Sequence, residues 1–231
     1  MKAAAETDPA VLRISMDAKA TVKVGDFSRG GKKRVQVKAA DHDFTATAKV
    51  TPVGILLPER DELFLACVTS KVTSDCLVDV LELWWQNVRE CYSQVSTLVI
   101  TLDNGPENHS HRTQFLNRLV AFAQRSQLLV KLAYYPPYHS KYNPVERCWG
   151  SLENHWNGDR LDSVETVVKF AQTMTWKGKS PVVRLLTTIY HTGVRLTKQA
   201  MAQVDTHVQR LVGLEPWFVD ISCALPTSPD T

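Results

Sequence analysis

The sequence predicts an α/β fold, a mixed five-stranded sheet flanked by helices, with extra helices at the C-terminal end. Three observations predict it. Three segments of strand character come early, at residues 11–17, 21–27 and 62–69. Two short apolar runs, 97–102 and 128–134, then alternate with helical patterns. Hydrophobic residues make up 44% and charged residues 22% of the chain, the balance of a folded domain. Three strands in succession followed by βα units imply a sheet that is antiparallel at first and covered by helices. A length of 231 residues suits one domain of generous size, or one with a short appendage.

Each element has a local reason. In VLRISMD, Val11, Ile14 and Met16 sit among polar neighbours. In TVKVGDF the apolar residues alternate with period two, and the short Ala18-Lys19-Ala20 link suggests a hairpin between these strands. Residues 35–60 read as loops and short extended pieces, because Pro52, Gly54 and Pro58 interrupt them. After the ELFLACVT strand, Ser74 is the expected N-cap of a helix whose Leu77, Val80, Leu81, Trp84, Val88 and Cys91 share one face. TLVITL, ending at Asp103-Asn104-Gly105-Pro106, fits a buried central strand and a sharp turn. A helix is expected over 112–126, with Phe115, Leu116, Leu119, Val120 and Phe122 inward. The strand at 128–134 follows. A Pro-Pro loop then leads to a helix opening at Asn143-Pro144. Further helices are expected near 163–173, 182–191 and 197–212. The organisation this implies is an N-terminal remnant at 1–10, a core at 11–160, a helical extension at 161–222 and a loose tail at 223–231.

The formal charge is only +3, from 27 Lys and Arg against 24 Asp and Glu. Its distribution is uneven. Nine basic and four acidic residues lie between Val11 and Lys49, and no acid occurs between Glu165 and Asp205. Solvated surface accounts for such runs, and so does contact with DNA phosphates. Lys32, Lys33, Arg34, Lys177 and Lys179 are the candidates for that contact. Five cysteines without a C-x-x-C pair suggest neither a disulfide framework nor a zinc site. No apolar run approaches the ~20 residues of a membrane span, and MKAAAETDPA lacks a signal-peptide layout, so a cytosolic protein is expected.

Three carboxylates could carry chemistry. Asp17 ends the first strand, Asp103 ends the fourth, and Glu146 lies in the first turn of the helix after the fifth. If the first and fourth strands are neighbours, the two aspartates meet at one sheet edge, and the helix start can bring Glu146 to the same place. Converging carboxylates repel unless cations bind between them, and an all-oxygen set favours Mg²⁺ or Mn²⁺. Each also has a structural reading. Asp17 can end a strand, Asp103 can form a turn, and Glu146 can complete a capping box with Asn143. Glu153 rivals Glu146 from the same helical face, but sits about two turns, ~10 Å, further along the axis. Trp149, Leu152 and Trp156 read as core.

The segments ISMDAKA, TLDNGPEN and YYPPYHSKYNPVERCWGSLENHW resemble the three acidic motifs of DDE-type transposases from bacterial insertion sequences, in the mariner-like branch. DNGPENHS and WKGKSPVV are similar to one insertion-sequence family within it. The resemblance runs from about Val11 to Asp220, and the Pro-Pro-Tyr loop joined to Asn-Pro-Val-Glu is its most specific piece. The 42 residues between Asp103 and Glu146 are more than the mariner branch itself usually has. The resemblance implies an RNase-H-like fold and a pair of metal ions on Asp17, Asp103 and Glu146. It also implies cleavage and strand transfer on double-stranded DNA, within a homo-oligomeric synaptic complex. Asn104 and Asn143 would orient carboxylates or water, and His139 and Lys141 would approach the DNA. Related transposases carry a helix-turn-helix region ahead of this core, where here only about ten residues precede the first strand. The chain is therefore expected to be a catalytic part, N-terminally truncated. A nuclease without strand transfer, or an inactive remnant that binds DNA or a partner transposase, is the alternative.

Overall fold

The computed structural model describes residues 8–25, 46–136 and 142–224. Its strands are β1 (Val11–Ala18), β2 (Val22–Val24), β3 (Ala48–Leu57), β4 (Glu62–Val68), β5 (Thr97–Leu102), β6 (Leu129–Tyr134), β7 (Val182–Leu186), β8 (Val208–Arg210) and β9 (Phe218–Ile221). The helices are α1 (Ser74–Val88), α2 (Thr113–Ser126), α3 (Glu146–Trp156), α4 (Val164–Thr173) and α5 (Lys198–Asp205). The sheet runs β7-β4-β3-β1-β5-β6-β9-β8, with β2 joined to β3. It is mixed: β1, β5 and β6 are mutually parallel, whereas β3 is antiparallel to both β1 and β4.

Two apolar clusters hold helices to its faces. On one face Ile14, Val53, Ile55, Leu98, Ile100 and Leu132 pack against Leu77, Leu81 and Trp84 of α1, Phe115, Leu119 and Phe122 of α2, and Val204 of α5. On the other, Val50, Leu56, Leu65 and Val183 meet Cys148, Leu152 and Trp156 of α3 and Val167 and Ala171 of α4. Each large side chain withdrawn from water stabilises the fold by roughly 1.5–3 kcal/mol. Arg118 of α2 ties the helix layer together through Asp75 and Asp79 of α1, at 2.8 and 2.5 Å.

The sheet departs from the sequence reading in four places. First, residues 48–57 form the longest strand, antiparallel to β1 and central to the sheet, although Pro52 and Gly54 read as breakers. Pro52 falls in a gap: β3 leaves β2 at Val50 and meets β1 only at Val53, so its missing N–H interrupts neither pairing. Second, β2 pairs with β3 and not with β1, so the expected hairpin does not form. Third, 182–191 is not helical. Val182 and Val183 follow Pro181 and open β7, an edge strand parallel to β4. It is reached by a two-residue turn in which Lys177 and Gly178 take positive φ of 46° and 82°. Fourth, the helix expected to Val212 stops at Asp205, and β8 and β9 widen the other edge of the sheet. The C-terminal third thus contributes strands as well as helices. No described helix is long and apolar enough to cross a membrane.

Candidate active site

Strands β1 and β5 are adjacent and parallel, with Ser15 paired to Thr101. Asp17 and Asp103 each lie two residues beyond that pair. The two-residue period puts both on the face that Ser15 and Thr101 share, at the C-terminal edge of the sheet. The loop after Asp103 is fixed from several elements. Asn108 Nδ2 donates to Asp103 Oδ1 at 2.9 Å, and the buried Tyr134 of β6 donates its hydroxyl to Asn108 O at 2.7 Å. Arg210 of β8 donates to Ser110 O at 2.7 Å, and Ser74 of α1 donates to Glu107 O at 2.7 Å. Ser74 therefore serves the loop, while Thr73 caps α1 by accepting from Cys76 N. Gly105 leaves room for this contact: a Cβ would stand 2.8 Å from Asn108 Oδ1 and 3.3 Å from Asp103 Oδ2, so the two side chains would have to shift.

Glu146 is the first residue of α3, which starts after Val145 rather than at Asn143-Pro144. Asn143 does not cap the helix. Fully buried, it accepts from Ser15 Oγ at 2.5 Å and donates to Met16 O at 3.1 Å. Ser15 Oγ in turn accepts from Val145 N at 3.0 Å, and Thr101 donates to Ile14 O at 3.0 Å. The peptide just before Glu146 is thereby fastened to the strands that carry Asp17 and Asp103. Asn143 acts on the approach to Glu146, and none of its hydrogen bonds goes to a carboxylate.

Asp17 has its pKa lifted from the usual 3.8 to about 6. Burial is the main cause. A hydrogen bond from Trp149 opposes it, and the negative charges of Asp103 and Glu146 add to it. Trp149 Nε1 donates to Asp17 Oδ2 at 2.7 Å. The indole reaches it by crossing Gly54, the β3 partner of Asp17, where a Cβ would stand 2.6 Å from Trp149 Cη2. Glu153, the rival third ligand, is paired with Lys19 and accepts from Trp156 Nε1 at 2.6 Å. The charge of Glu146, by contrast, adds to the rise of the Asp17 pKa.

The other sequence candidates fall elsewhere. Asn104 accepts from Ser110 N at 3.3 Å and so shapes its own loop. Lys177 pairs with Asp61 at 2.9 Å, and Lys179 donates to Arg60 O at 2.7 Å. Both therefore lie at the β3–β4 turn, the sheet edge opposite the carboxylates. Lys32, Lys33, Arg34, His139 and Lys141 lie outside the described residues, as does most of the 223–231 tail. Three residues that shape the site, Gly54, Asn108 and Trp149, were not among the candidates. Trp149 had a usable signal: it is three residues past Glu146, and a buried indole N–H seeks an acceptor.

The donor chemistry suits a hard divalent cation, since the set is carboxylate only and its negative charges oppose the ionisation of Asp17. The spacing is looser than a coordination sphere. Among the described residues no three His, Cys, Asp or Glu side chains are close enough to hold a metal ion.

No curated protein matches the chain. Among solved structures, the chain is similar to the Mos1 transposase paired-end complex with left transposon end. The TM-score is 0.52 and the identity 12%, over 73% of this chain and 49% of that one. The chain spans about half the length of that transposase, and at this identity the likeness bears on the fold, which is RNase-H-like. The family model described as Rhodopirellula transposase DDE domain matches residues 1–223. With its acidic residues on β1, after β5 and at the start of α3, this chain belongs to that DDE transposase domain family.

Proposed function

We propose that the chain is the catalytic domain of a transposase that cleaves DNA at the ends of an insertion sequence and joins the freed ends to target DNA. The observation that carries this reading is the placement of Asp17, Asp103 and Glu146 at one end of the paired strands β1 and β5, where the charges of Asp103 and Glu146 act on the part-buried Asp17. Asp17, Asp103 and Glu146 would together hold two Mg²⁺ or Mn²⁺ ions. When bound, such ions supply Lewis acidity for activating a water or a 3′-hydroxyl and for neutralising the leaving oxygen.

The protein's own share is positioning and charge, with no covalent intermediate on a side chain. Trp149 favours the ionised form of Asp17 against its burial. Asn108 sets the rotation of the Asp103 carboxylate, and the Asn143–Ser15 bond fixes where α3 begins. The substrate is double-stranded DNA, acted on by a homo-oligomer that pairs two ends, in a bacterial cytoplasm.

The test is plasmid nicking by the purified chain with Mn²⁺ or Mg²⁺, together with joining of pre-cleaved ends. Asp17→Asn and Glu146→Gln are expected to abolish nicking and leave DNA binding in place. Full nicking by either variant overturns the assignment. Nicking without joined products reduces the reading to a nuclease.

A further inference from the structure

We infer that a cleft at the end of the sheet opposite Asp17 and Asp103 binds a small carboxylate ligand, with the carboxylate between the Arg60 guanidinium and the Tyr92 hydroxyl and the apolar part against Leu12, Leu57 and Val95. The cleft stands apart from the proposed active site. Leu12 precedes Asp17 by five residues of β1, roughly 16 Å of strand. The walls are the start of β1, the end of β3 with the turn after it, and the 3₁₀ turn Arg89–Tyr92 that follows α1. The volume is about 350 Å³, within the ~300–1,000 Å³ of small-molecule pockets.

Two donors there lack an acceptor among the described residues. Tyr92 is only 8% exposed, and its hydroxyl has no hydrogen-bond partner among them. Burial raises its pKa above the usual 10, and the Arg60 charge opposes the rise, so at neutral pH the hydroxyl keeps its proton and can donate. A buried hydroxyl left unsatisfied is costly, and an acceptor brought by a ligand removes that cost. Arg60 lies across the Tyr92 ring, its guanidinium carbon 5.0 Å from the ring centroid, and among the described residues no carboxylate pairs with it. Stacking occupies the face of a guanidinium and leaves its in-plane N–H groups free, the fork that matches the two oxygens of a carboxylate. The Arg60 backbone is held on both sides. Its N–H donates to Leu57 O at 3.2 Å, and its carbonyl accepts from Lys179 Nζ at 2.7 Å.

The remaining charges select a monoanion. Asp8 and Glu59 also line the cleft, and Arg13 neutralises Glu59 at 2.6 Å. The two arginines and two acids of the lining sum to zero, so a second negative charge on the ligand would face Asp8 with no further cation in the lining to meet it. Such repulsion grows as a site is closed off from water. A carboxylate carries one charge, where a phosphate monoester carries about 1.5–2. With Leu12, Leu57 and Val95 beside the polar end, the ligand is an apolar acid and not a nucleotide or sugar phosphate.

Cys91 lines the cleft and is exposed, so it reports on what the cleft recruits. The full chain is alkylated with iodoacetate or with iodoacetamide, and each cysteine is followed by peptide mass spectrometry. Both reagents alkylate the thiolate with loss of iodide, and one carries a carboxylate where the other carries an amide. The iodoacetate-to-iodoacetamide rate ratio at Cys91 should exceed that at the half-buried Cys223 by about tenfold, the worth of one charge-assisted hydrogen bond. Benzoate should slow iodoacetate at Cys91, and benzamide should not. Arg60→Gln should bring the ratio down to that of Cys223, and Tyr92→Phe should lower it severalfold. Asp17→Asn should keep the parental ratio, so failure of the active-site reading leaves this outcome intact. Tyr92→Phe should melt at or above the parental temperature, because the hydroxyl it removes has no partner among the described residues. Equal ratios at Cys91 and Cys223 in the parent, a parental ratio in either cleft variant, or a fall of several degrees in Tyr92→Phe overturns the site.

Discussion

Trp149 donates its indole N–H to Asp17 at 2.7 Å, and this is the interaction that most favours the ionised form of that carboxylate. Its loss should be visible in the pH dependence of the reaction. A hydrogen bond to a charged acceptor contributes ~1.5 kcal/mol or more, about tenfold in proton affinity. Trp149→Phe keeps most of the ring packing and removes the donor. Nicking at neutral pH should fall severalfold, and the acid limb of the pH profile should move to higher pH. An unmoved limb would show that Trp149 acts by packing alone.

Asp17 itself should make the metal-free fold less stable at neutral pH than at mild acidity. Its pKa rises from 3.8 to about 6 on folding, so the folded state binds the proton more tightly. The associated stability is present below pH ~4 and is lost as pH climbs through about 6, to a total of roughly 3 kcal/mol. Denaturant unfolding in EDTA should show this decline, and Asp17→Asn should flatten it while raising stability at pH 7. Added Mn²⁺ should restore stability to the parent above pH 6 and do little for the variant.

Gly54→Ala tests the crossing of Trp149 over β3. The new Cβ would stand 2.6 Å from Trp149 Cη2 and 3.0 Å from Val145 Cγ2. Either contact must give way, at a cost of about 1–3 kcal/mol. A fall in melting temperature together with lost nicking is expected, since both displaced groups adjoin the active site. Parental activity would mean that the ring can shift without releasing Asp17.

Asn143→Ala removes a fully buried amide, taking away the acceptor for the Ser15 hydroxyl and a donor to Met16 O. Groups left unsatisfied in the interior cost ~1–3 kcal/mol each, and a chain of this size loses about 2–4 °C in melting temperature per kcal/mol. Thermal unfolding should fall by several degrees. The turnover rate should fall more than the apparent affinity for DNA, because the anchor positions Glu146 and not the substrate.

Glu153→Gln separates the two glutamates of α3. The side chain is engaged with Lys19 and Trp156, so its neutralisation should leave nicking within a few fold of the parent. Loss of nicking equal to that of Glu146→Gln would move the third ligand one helical heptad along.

Much of this site was legible from sequence because strand ends and helix starts carry local signals. TLVITL ending in Asp-Asn-Gly marks a buried strand and its turn, and Asp103 lies there. The adjacency of β1 and β5 follows from ordinary βα topology, and it brings Asp17 level with Asp103. Long-range side-chain partners were not legible. Asn143 resembles an N-cap in sequence, yet its amide is taken by Ser15 and Met16, more than a hundred residues away. Pro52 and Gly54 look like breakers, and both are features of a central strand. One falls where a neighbouring strand is missing, and the other makes room for an indole. The edge strands β7 and β8 look helical in sequence because three to five residues of pairing leave little periodic signature.

The grip of Arg210 and Tyr134 on the loop after Asp103 has a consequence for the order of events during synthesis. Asp17, Asp103 and Glu146 leave the ribosome well before Arg210 and the strand pair β8–β9 that carries and supports it. A nascent chain at that stage lacks one of the holds on the Asp103 loop. Under the proposed function, the last brace on the Asp103 loop is set only after nearly all of the sheet has emerged.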